Sequence, residues 1–280
     1  MPRTAKPGTP ALTRGFYFSL AVLAWSPAPA APQPLPIQGE ETESFLASAD
    51  RVKEEAIPIG VTHPKLFTLT NGVLRARAIW KTVNVYRPGL TRFDEGGAEY
   101  NFRDSYKHEI AAYELDKLLG LAPVPAAVER SLDGKTGSLQ IWAEDTITET
   151  KRKKLKMPIP NPRRWNEQMF KIRLLHRLTY NTDRANASNI LIDPDWRLWA
   201  IDHSRAFRIK GELMGTKDLA RFSRSVLEKL GGLTETILHE RVGRWLTDPQ
   251  IEALLKRRDK ILELAEQRIA ETGEAAVLYQ

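Results

Sequence analysis

Residues 181–204 read NTDRANASNILIDPDWRLWAIDHS, and this stretch decides the fold of the second half of the chain. Two short apolar segments flank a polar turn at residues 193–195. Apolar runs of this length on either side of a tight turn are typical of a β-hairpin. Because a hairpin brings its outer ends together, we expect Asn189 and Asp202 to be near neighbours.

Three polar side chains at the ends of this hairpin suggest a chemical role. Asp202 directly follows the second apolar segment and Asn189 begins the first. Both offer the hard oxygen ligands that Mg²⁺ and Mn²⁺ prefer. Asp183 lies one loop earlier, where a carboxylate is suited to accept a proton from a hydroxyl nucleophile. The stretch therefore predicts a divalent-metal site with a general base beside it.

Two charged residues upstream complete a set that phosphoryl transfer requires. Such a reaction needs a cation for the nucleotide phosphates and an anion that holds this cation. The turn Asn71-Gly72 predicts a hairpin, and Lys81 lies on its return strand. Ser105 and Gly120 bound a predicted helix that carries Glu109 near its start. Lys81 and Glu109 are therefore the candidate cation and its partner.

Four segments resemble motifs of a known group of kinases. EIAAYELDKLLGLAPVP, from residue 109, resembles the lysine-partner helix of atypical protein kinase-like proteins of the Golgi secretory-pathway casein kinase and Four-jointed type, whose relatives include HipA and the phosphatidylinositol 3-/4-kinases. AIWK, ending at Lys81, is similar to their nucleotide-lysine strand. NTDR, from residue 181, and IDHSRAF, from residue 201, are similar to their catalytic loop and metal-binding motif. The four lie in the order of the family, between residues 57 and 207.

The resemblance implies a role for each candidate residue. Lys81 would bind the nucleotide phosphates and pair with Glu109, and Asp183 would be the catalytic base. Arg184 would orient Asp183 or a phosphate. The metal ligands would be Asn189 and Asp202, the nucleotide ATP and the metal Mg²⁺ or Mn²⁺. The implied activity is transfer of a phosphoryl group to a protein Ser/Thr, a sugar or a small alcohol.

One departure from the family pattern keeps an inactive alternative open. In the related motif an Asn follows the catalytic Asp by five positions, and here Ser188 occupies that place while Asn189 lies one further on. Asn186 or Ser188 are alternative contributors to the metal site. A glycine-rich phosphate loop of the GxGxxG type is also absent from the sequence. A nucleotide-binding pseudokinase, or an interaction module without turnover, is therefore the first rival.

A second rival and several ordinary roles also remain. Asp183, Asp202 and the two turn aspartates Asp193 and Asp195 would be the acids of a metal-dependent phosphohydrolase, although the two turn residues are expected to face solvent. Taken singly, an Asp after a strand is commonly a turn residue. An acid in the first turn, such as Glu109, stabilises a helix by about 0.3–1 kcal/mol. The ordered set of motifs favours the kinase interpretation.

The order of elements predicts an α+β protein with a two-lobed, protein-kinase-like fold. We expect a small strand-rich N-lobe with one key helix over residues 41–145, a basic linker over 146–164 and a mainly helical C-lobe over 165–280. Within the N-lobe we expect a short helix over residues 41–54 and a loop over 88–101.

Composition excludes several other classes of protein. The chain has 280 residues and no cysteine, which excludes a disulfide scaffold, a zinc ribbon and a cysteine nucleophile. Its five histidines show no HExxH spacing, which argues against a zincin.

The first thirty residues have the three-part pattern of a secretory signal peptide. A basic start with Arg3, Lys6 and Arg14 precedes an apolar run over residues 16–25, and Ala28-Pro29-Ala30 follows. We therefore expect residues 1–30 to be removed, residues 31–40 to form a Pro-rich spacer, and the protein to be exported to a periplasm, extracellular space or secretory lumen. The alternatives are a disordered, mistranslated or mis-started N-terminus and an uncleaved anchor.

A basic run over residues 151–164 contains seven Lys and Arg residues. We interpret it as a solvated linker or loop, or as a docking patch for an acidic partner. No aromatic residues alternate with these charges, so we expect no nucleic-acid partner. We expect the protein to be a monomer.

Overall fold

The computed structural model describes residues 35–57, 64–93, 97–183 and 185–280. The predicted signal peptide, residues 31–34 of the predicted spacer, and Arg184 lie outside the described residues.

The first half of the chain is rich in strands. In chain order it contains α1 (Glu40–Ser48), β1 (Asp50–Ala56), β2 (Lys65–Thr70), β3 (Arg75–Lys81), β4 (Asn84–Arg92), β5 (Ala98–Ser105), α2 (Tyr106–Leu119), β6 (Ala127–Leu132) and β7 (Lys135–Ile141). Five strands form one antiparallel sheet in the order β1-β2-β3-β7-β6, and β4 and β5 form a separate two-stranded sheet.

The second half is mainly helical. It contains β8 (Ile147–Thr148), α3 (Glu149–Lys154), α4 (Pro162–Leu178), β9 (Ile190–Ile192), β10 (Leu198–Ala200), β11 (Phe222–Ser223), α5 (Arg224–Gly231), α6 (Glu235–Val242), α7 (Asp248–Thr272), α8 (Glu274–Val277) and β12 (Leu278–Tyr279). β8, β9 and β10 form a small antiparallel sheet. No helix in the described part of the chain is both long and apolar enough to span a bilayer.

Local sequence signals define the elements that position the site. The side chain of Asn71 accepts hydrogen bonds from the backbone of Val73 and Leu74, which closes the β2–β3 turn. The Ser105 side chain caps α2 by accepting from the Lys107 backbone at 3.3 Å. Gly120 ends the helix with φ near +65°, a conformation that glycine adopts without strain.

β9 and β10 form the predicted hairpin, with its outer ends side by side. Ala200 pairs with Ile190, and the Ile201 backbone N–H donates to the Asn189 carbonyl at 2.9 Å. Asn189 therefore lies beside the residue that precedes Asp202. The hairpin packs through Ile192 and its neighbours against the start of α4.

Two expectations for the first half are wrong. The helix predicted over residues 41–54 ends at Ser48, and residues 50–56 form strand β1 at the edge of the main sheet. An edge strand tolerates the charged side chains of this segment because they face solvent. The loop predicted over residues 88–101 contains most of β4 and the start of β5, and Gly89 lies in a register shift between Arg87 and Leu90.

The predicted basic loop is also partly wrong. The side chain of Thr148 caps α3 by accepting from the Lys151 backbone at 3.1 Å, so residues 149–154 are helical. Asn161 caps α4 in the same way, with Pro162 in its first turn. Arg152 donates to Glu149, which neutralises part of the basic run.

The longest helix, α7, organises the chain that follows β10. Arg257 is fully buried in α7, and its guanidinium donates to the carbonyls of Leu178, Arg208 and Lys210. Gln250, in the first turn of α7, donates to the Phe207 carbonyl at 2.9 Å. Side chains of α7 thus hold the segment after Asp202 by hydrogen bonds to the backbone carbonyls of that segment.

Candidate active site

Lys81 joins three distant parts of the sequence. It is the last residue of β3 and is only 9% exposed. Its Nζ lies 2.5 Å from Glu109 Oε1 and 2.9 Å from Asp202 Oδ1. The structure therefore brings together three of the six candidate residues around one ammonium group.

Glu109 connects this ammonium to the backbone beyond Asp202. It lies in the first turn of α2 and is 1% exposed. One carboxylate oxygen bonds Lys81, and the other accepts from the His203 backbone N–H at 3.0 Å. The orientation of α2 is thereby coupled to the position of Asp202.

The charges of this pair are maintained despite burial. Burial lowers the pKa of Lys81, but the carboxylates of Glu109 and Asp202 outweigh it and the net shift is upward. Burial raises the pKa of Glu109, but the ammonium of Lys81 and the neighbouring His203 outweigh it and the net shift is downward. Both side chains are therefore charged near neutral pH.

Asp183 is held by two amide side chains. Asn189 Nδ2 donates to Asp183 Oδ2 at 2.8 Å, and Asn186 Nδ2 donates to the same oxygen at 3.3 Å. The Asn181 side chain accepts from the Asp183 backbone at 2.9 Å. Ser188, in contrast, lies with its Oγ 3.0 Å from Thr150 Oγ1 of α3. Asn189, and not Ser188, is therefore the side chain linked to the candidate base.

The residues present fit a metal that arrives with phosphate oxygens. In the described ranges, no three His, Cys, Asp or Glu side chains gather in a way that would hold a metal. The side chain of Asp202 is 43% exposed, and it has a φ of +61°, a strained value for a residue with a side chain. Mg²⁺ is commonly bound by one or two carboxylates together with substrate phosphates and water. Asp202 with the Asn189 side-chain oxygen is a donor set of that kind.

His108 holds the backbone that follows Asp202 through its contact with Ser204. The sequence pattern did not reveal this role. It is buried, and its Nδ1 lies 2.8 Å from the Ser204 carbonyl oxygen, which can only accept. Nδ1 therefore donates, and Nε2 accepts from Gln250 Nε2 at 3.0 Å. Burial lowers the pKa of His108 to about 4, so this imidazole is neutral at pH 7.

Asp104 is a further carboxylate that sequence reasoning missed. It lies on β5, next to the N-cap of α2, in a strand whose first half was predicted as loop. Burial raises the pKa of Asp104, a hydrogen bond from Ser204 opposes the shift, and the charge of Asp202 adds to it. The sequence feature that could have indicated Asp104 is its position directly before Ser105, the N-cap of α2.

Two acids of the phosphohydrolase rival are not part of this cluster. Asp193 Oδ1 accepts from the backbone of Asp195 and Arg197, and its Oδ2 accepts from Trp199 Nε1 at 3.1 Å. Asp195 is exposed in the same turn. Both carboxylate oxygens of Asp193 therefore accept hydrogen bonds within the hairpin. The structure gives the phosphohydrolase interpretation no support.

Known protein structures share this architecture. The structure of hydra Fam20 with sugar matches with a TM-score of 0.61 and 15% identity, over 84% of this chain and 90% of that one. The Golgi casein kinase with Mn/ADP bound matches with a TM-score of 0.64 and 16% identity, over 85% and 78% of the two chains. A second structure of the Golgi casein kinase matches with a TM-score of 0.63 and 15% identity, over 85% and 76%.

The comparisons establish the fold. No model of a protein family matches the sequence, and no curated protein is significantly similar to it. The structural matches confirm the predicted α+β class and the resemblance to atypical kinases at the level of the fold. The chain has a two-lobed, protein-kinase-like fold.

Proposed function

We propose that this protein is a kinase that uses ATP and Mg²⁺ or Mn²⁺ to transfer a phosphoryl group to a hydroxyl acceptor. The observation that carries the proposal is the buried Lys81, whose Nζ lies 2.5 Å from Glu109 and 2.9 Å from Asp202. A cation for phosphates, an acid that holds it and an acid for the metal are what phosphoryl transfer requires. A solved structure of similar fold carries Mn and ADP, which supports the same ligands here.

In this mechanism each side chain has one task. Lys81 binds the nucleotide phosphates, and Glu109 keeps Lys81 in place. Asp202 and the Asn189 side-chain oxygen hold the metal, which supplies charge neutralisation at the phosphates when bound. Positioning and charge stabilisation account for most of the catalysis in this chemistry.

Asp183 takes the proton in the transfer step. The acceptor oxygen forms a bond to the γ-phosphorus while the bond from that phosphorus to the bridging oxygen of ADP breaks. The hydroxyl proton passes to Asp183, and the electron pair of the broken bond stays on ADP. Asn186 and Asn189 orient the Asp183 carboxylate through the hydrogen bonds to its Oδ2. Arg184, next in sequence, is proposed to orient the base or a phosphate.

The shifted asparagine has a consistent role in an active enzyme. Asn189 donates through its Nδ2 to Asp183, so its Oδ1 remains as a ligand for the metal. One amide thereby connects the base to the metal site, which is what turnover needs. This contact favours the active kinase over the pseudokinase.

The proposal is tested by thermal unfolding of the full chain with ATP and Mn²⁺ or Mg²⁺. A ligand at about 100 times its dissociation constant stabilises a protein by roughly 2.7 kcal/mol, which raises Tm by several degrees for a domain of this size. We expect this shift in the wild type and in Asp195→Asn, a control in the same hairpin, and its loss in Asp202→Ala. No shift with any nucleotide would contradict the proposal.

Phosphoryl transfer separates the kinase from its first rival. Asp183→Asn is expected to keep the nucleotide-dependent shift and to lose transfer. A wild-type protein that shows the shift but forms no phosphorylated product with protein, sugar or small-alcohol acceptors would be a pseudokinase.

We also propose that residues 1–30 direct export. The support is the sequence pattern alone: a basic start, a short apolar run and the small residues at 28–30. A reporter fused to residues 1–35 is expected to leave the cytoplasm and to be cleaved after Ala30. Retention of the uncleaved fusion in the cytoplasm would contradict export.

A further inference from the structure

A cavity lies next to the loop that carries the candidate base. It has a volume of about 540 Å³ and is formed by β5, by residues 180–182 and by the segment after Asp202. Thr182, which directly precedes Asp183, lines it. The Thr182 backbone and hydroxyl both donate to the Arg205 carbonyl, at 3.4 and 3.3 Å. The cavity wall is therefore joined to the loop that carries the base.

The wall of this cavity carries an excess of positive charge. Its described lining includes four basic side chains, Arg103, Arg205, Arg208 and Lys210, and one carboxylate, Glu99. Glu99 is shared, because one oxygen accepts from Arg205 at 2.6 Å and the other pairs with Arg208. Asp104, on the same strand, adds a second negative charge near Arg208. Among the described residues the four cations still outnumber these two carboxylates, which favours an anion in the cavity.

Arg208 has unused hydrogen-bond donors in a buried position. Its side chain is 6% exposed. Apart from its ion pair with Glu99, its Nε and Nη1 have no hydrogen-bond partner among the described residues. Burial lowers the pKa of Arg208 to about 10, and Glu99 opposes this shift. Buried donors of a charged group are costly when unpaired, and a guanidinium pairs best with a carboxylate or phosphate.

Aromatic rings fix the planes of the guanidinium groups. Arg205 and Arg208 lie 5.4 and 5.8 Å from the centre of the Phe102 ring, and Arg205 lies 5.4 Å from Phe93. Arg103 lies 4.3 Å from the Tyr86 ring. Rings at these distances stabilise cations and hold them in place. The donors are thus arranged before any ligand binds.

We infer that this cavity binds the acceptor, and that the acceptor is a small hydroxyl compound carrying a phosphate or carboxylate group. Its anionic group would bind between Arg205 and Arg208, and its hydroxyl would reach Asp183. Cavities of roughly 300–1,000 Å³ are typical of small-molecule sites, which favours a compact substrate over a polypeptide. The inference rests on the proposed kinase function, because it assigns the substrate class of that site.

The anion site is tested first without nucleotide. We would titrate inorganic phosphate, and separately acetate, into the full-length protein and measure binding by calorimetry. Phosphate is expected to bind the wild type, and acetate to bind only if the site takes carboxylates. Arg208→Gln and Arg205→Gln are expected to weaken phosphate binding by about tenfold or more, since hydrogen bonds to charged groups are lost.

One variant serves as a control for these titrations, and two others can replace Arg208→Gln. Arg87→Gln removes an arginine that also lies over Phe102, at 5.9 Å, but does not line the cavity. It is expected to bind phosphate like the wild type. If Arg208→Gln fails to fold, the more exposed Arg205→Gln and Arg103→Gln provide the same test.

Displacement of phosphate then decides the substrate class. Glycerol 3-phosphate or glycerate is expected to displace phosphate, and neutral glycerol is not. Equal phosphate binding in the wild type and the Arg205 and Arg208 variants would overturn the inference. Displacement by an acidic serine peptide but by neither small anion would overturn it as well. Failure of the ATP-dependent Tm shift, with phosphate still bound at the arginines, would instead reject the kinase function and keep the anion site.

Discussion

The charges around Lys81 and those around Arg208 are arranged in opposite ways, although both clusters contact the segment that follows β10. Lys81 has two carboxylates within 2.9 Å, so its charge is balanced inside the protein. Arg208 shares Glu99 with Arg205 and retains unpaired donors. The cluster of Lys81, Glu109 and Asp202 is closed, because its charges balance within the protein. The cluster of Arg205, Arg208 and Glu99 is open, because it keeps unpaired donors, which we propose are satisfied by an anion.

Because of this difference, we expect the Lys81 cluster to contribute mainly to the stability of the fold and the arginine cluster mainly to ligand binding. Removing one member of a closed, buried ion pair leaves an uncompensated charge and destabilises the fold. Removing one member of an open cationic cluster also removes repulsion between like charges. We therefore expect mutations at the Lys81 cluster to lower the free energy of unfolding, and mutations at the arginines to affect ligand binding.

The largest expected effect is at Asp183, which belongs to neither cluster. Its carboxylate bonds the amides of Asn186 and Asn189 and lies outside both ion-pair sets. Asp183→Asn should lower the rate of phosphoryl transfer by about 10²–10⁴-fold, the usual contribution of a general base. The rate of ADP formation with ATP, Mn²⁺ and glycerol 3-phosphate measures this. Asp195→Asn should retain the wild-type rate, and an equal loss in both variants would remove the special role of Asp183.

The next effect is at Glu109, in the closed cluster. Glu109→Ala removes the main partner of the buried Lys81 and should lower the free energy of unfolding by about 3–5 kcal/mol. Urea denaturation of the full chain measures this change. Glu109→Gln keeps the shape without the charge and should show an intermediate loss. A loss below about 1 kcal/mol in Glu109→Ala would mean that Asp202 alone balances Lys81.

The third effect is a pH dependence at His108, which contacts the backbone between the clusters. The folded protein keeps this imidazole neutral down to a pKa of about 4, whereas the unfolded chain takes up a proton near its ordinary value of 6.5. The free energy of unfolding should therefore fall as the pH decreases from about 6.5 to 4, by roughly 3 kcal/mol from this residue.

Urea denaturation at pH 7 and pH 4.5 measures this dependence against a His108→Gln variant. The pH-dependent loss should be smaller in the variant, because Gln does not titrate. Identical pH profiles for the two proteins would show that His108 is not the group responsible.

The smallest effect on stability is expected at Arg205, in the open cluster. Its ion pair with Glu99 is partly exposed, and such pairs contribute about 0–1 kcal/mol. Arg205→Gln should change the free energy of unfolding by less than about 1 kcal/mol while it weakens phosphate binding. Destabilisation as large as that of Glu109→Ala would contradict the contrast between the two clusters.

The elements that the sequence predicted correctly are those with local start and stop signals. Ser105 and Gly120 bound α2, and the Asn71-Gly72 turn defines the β2–β3 hairpin. β1 was missed because the apolar spacing of α1 continues through Val52, which the structure places at 52% exposure on an edge strand. Most of β4 and the start of β5 were missed because Gly89, a loop signal, instead lies in a register shift between paired strands.

The residues of the candidate site also fall into two groups, those that local sequence signals indicate and those that they do not. Lys81, Glu109 and Asp202 were named from the sequence because each lies at or near the end of an element that local patterns reveal. His108 and Arg208 were not, because their partners are remote: Gln250 lies 142 residues from His108, and Glu99 lies on a strand that was partly predicted as loop. A side chain whose role depends on tertiary contacts cannot be identified from local patterns in a single sequence.

The buried Arg257 has a consequence for the way substrates would be selected. By binding the carbonyls of Leu178, Arg208 and Lys210, it orders one wall of the cavity during folding. The conformational entropy of that wall is therefore lost before any substrate arrives, and binding costs only the freedom of the substrate itself. At this wall, selection would then depend on how well a substrate fits a surface that is already ordered.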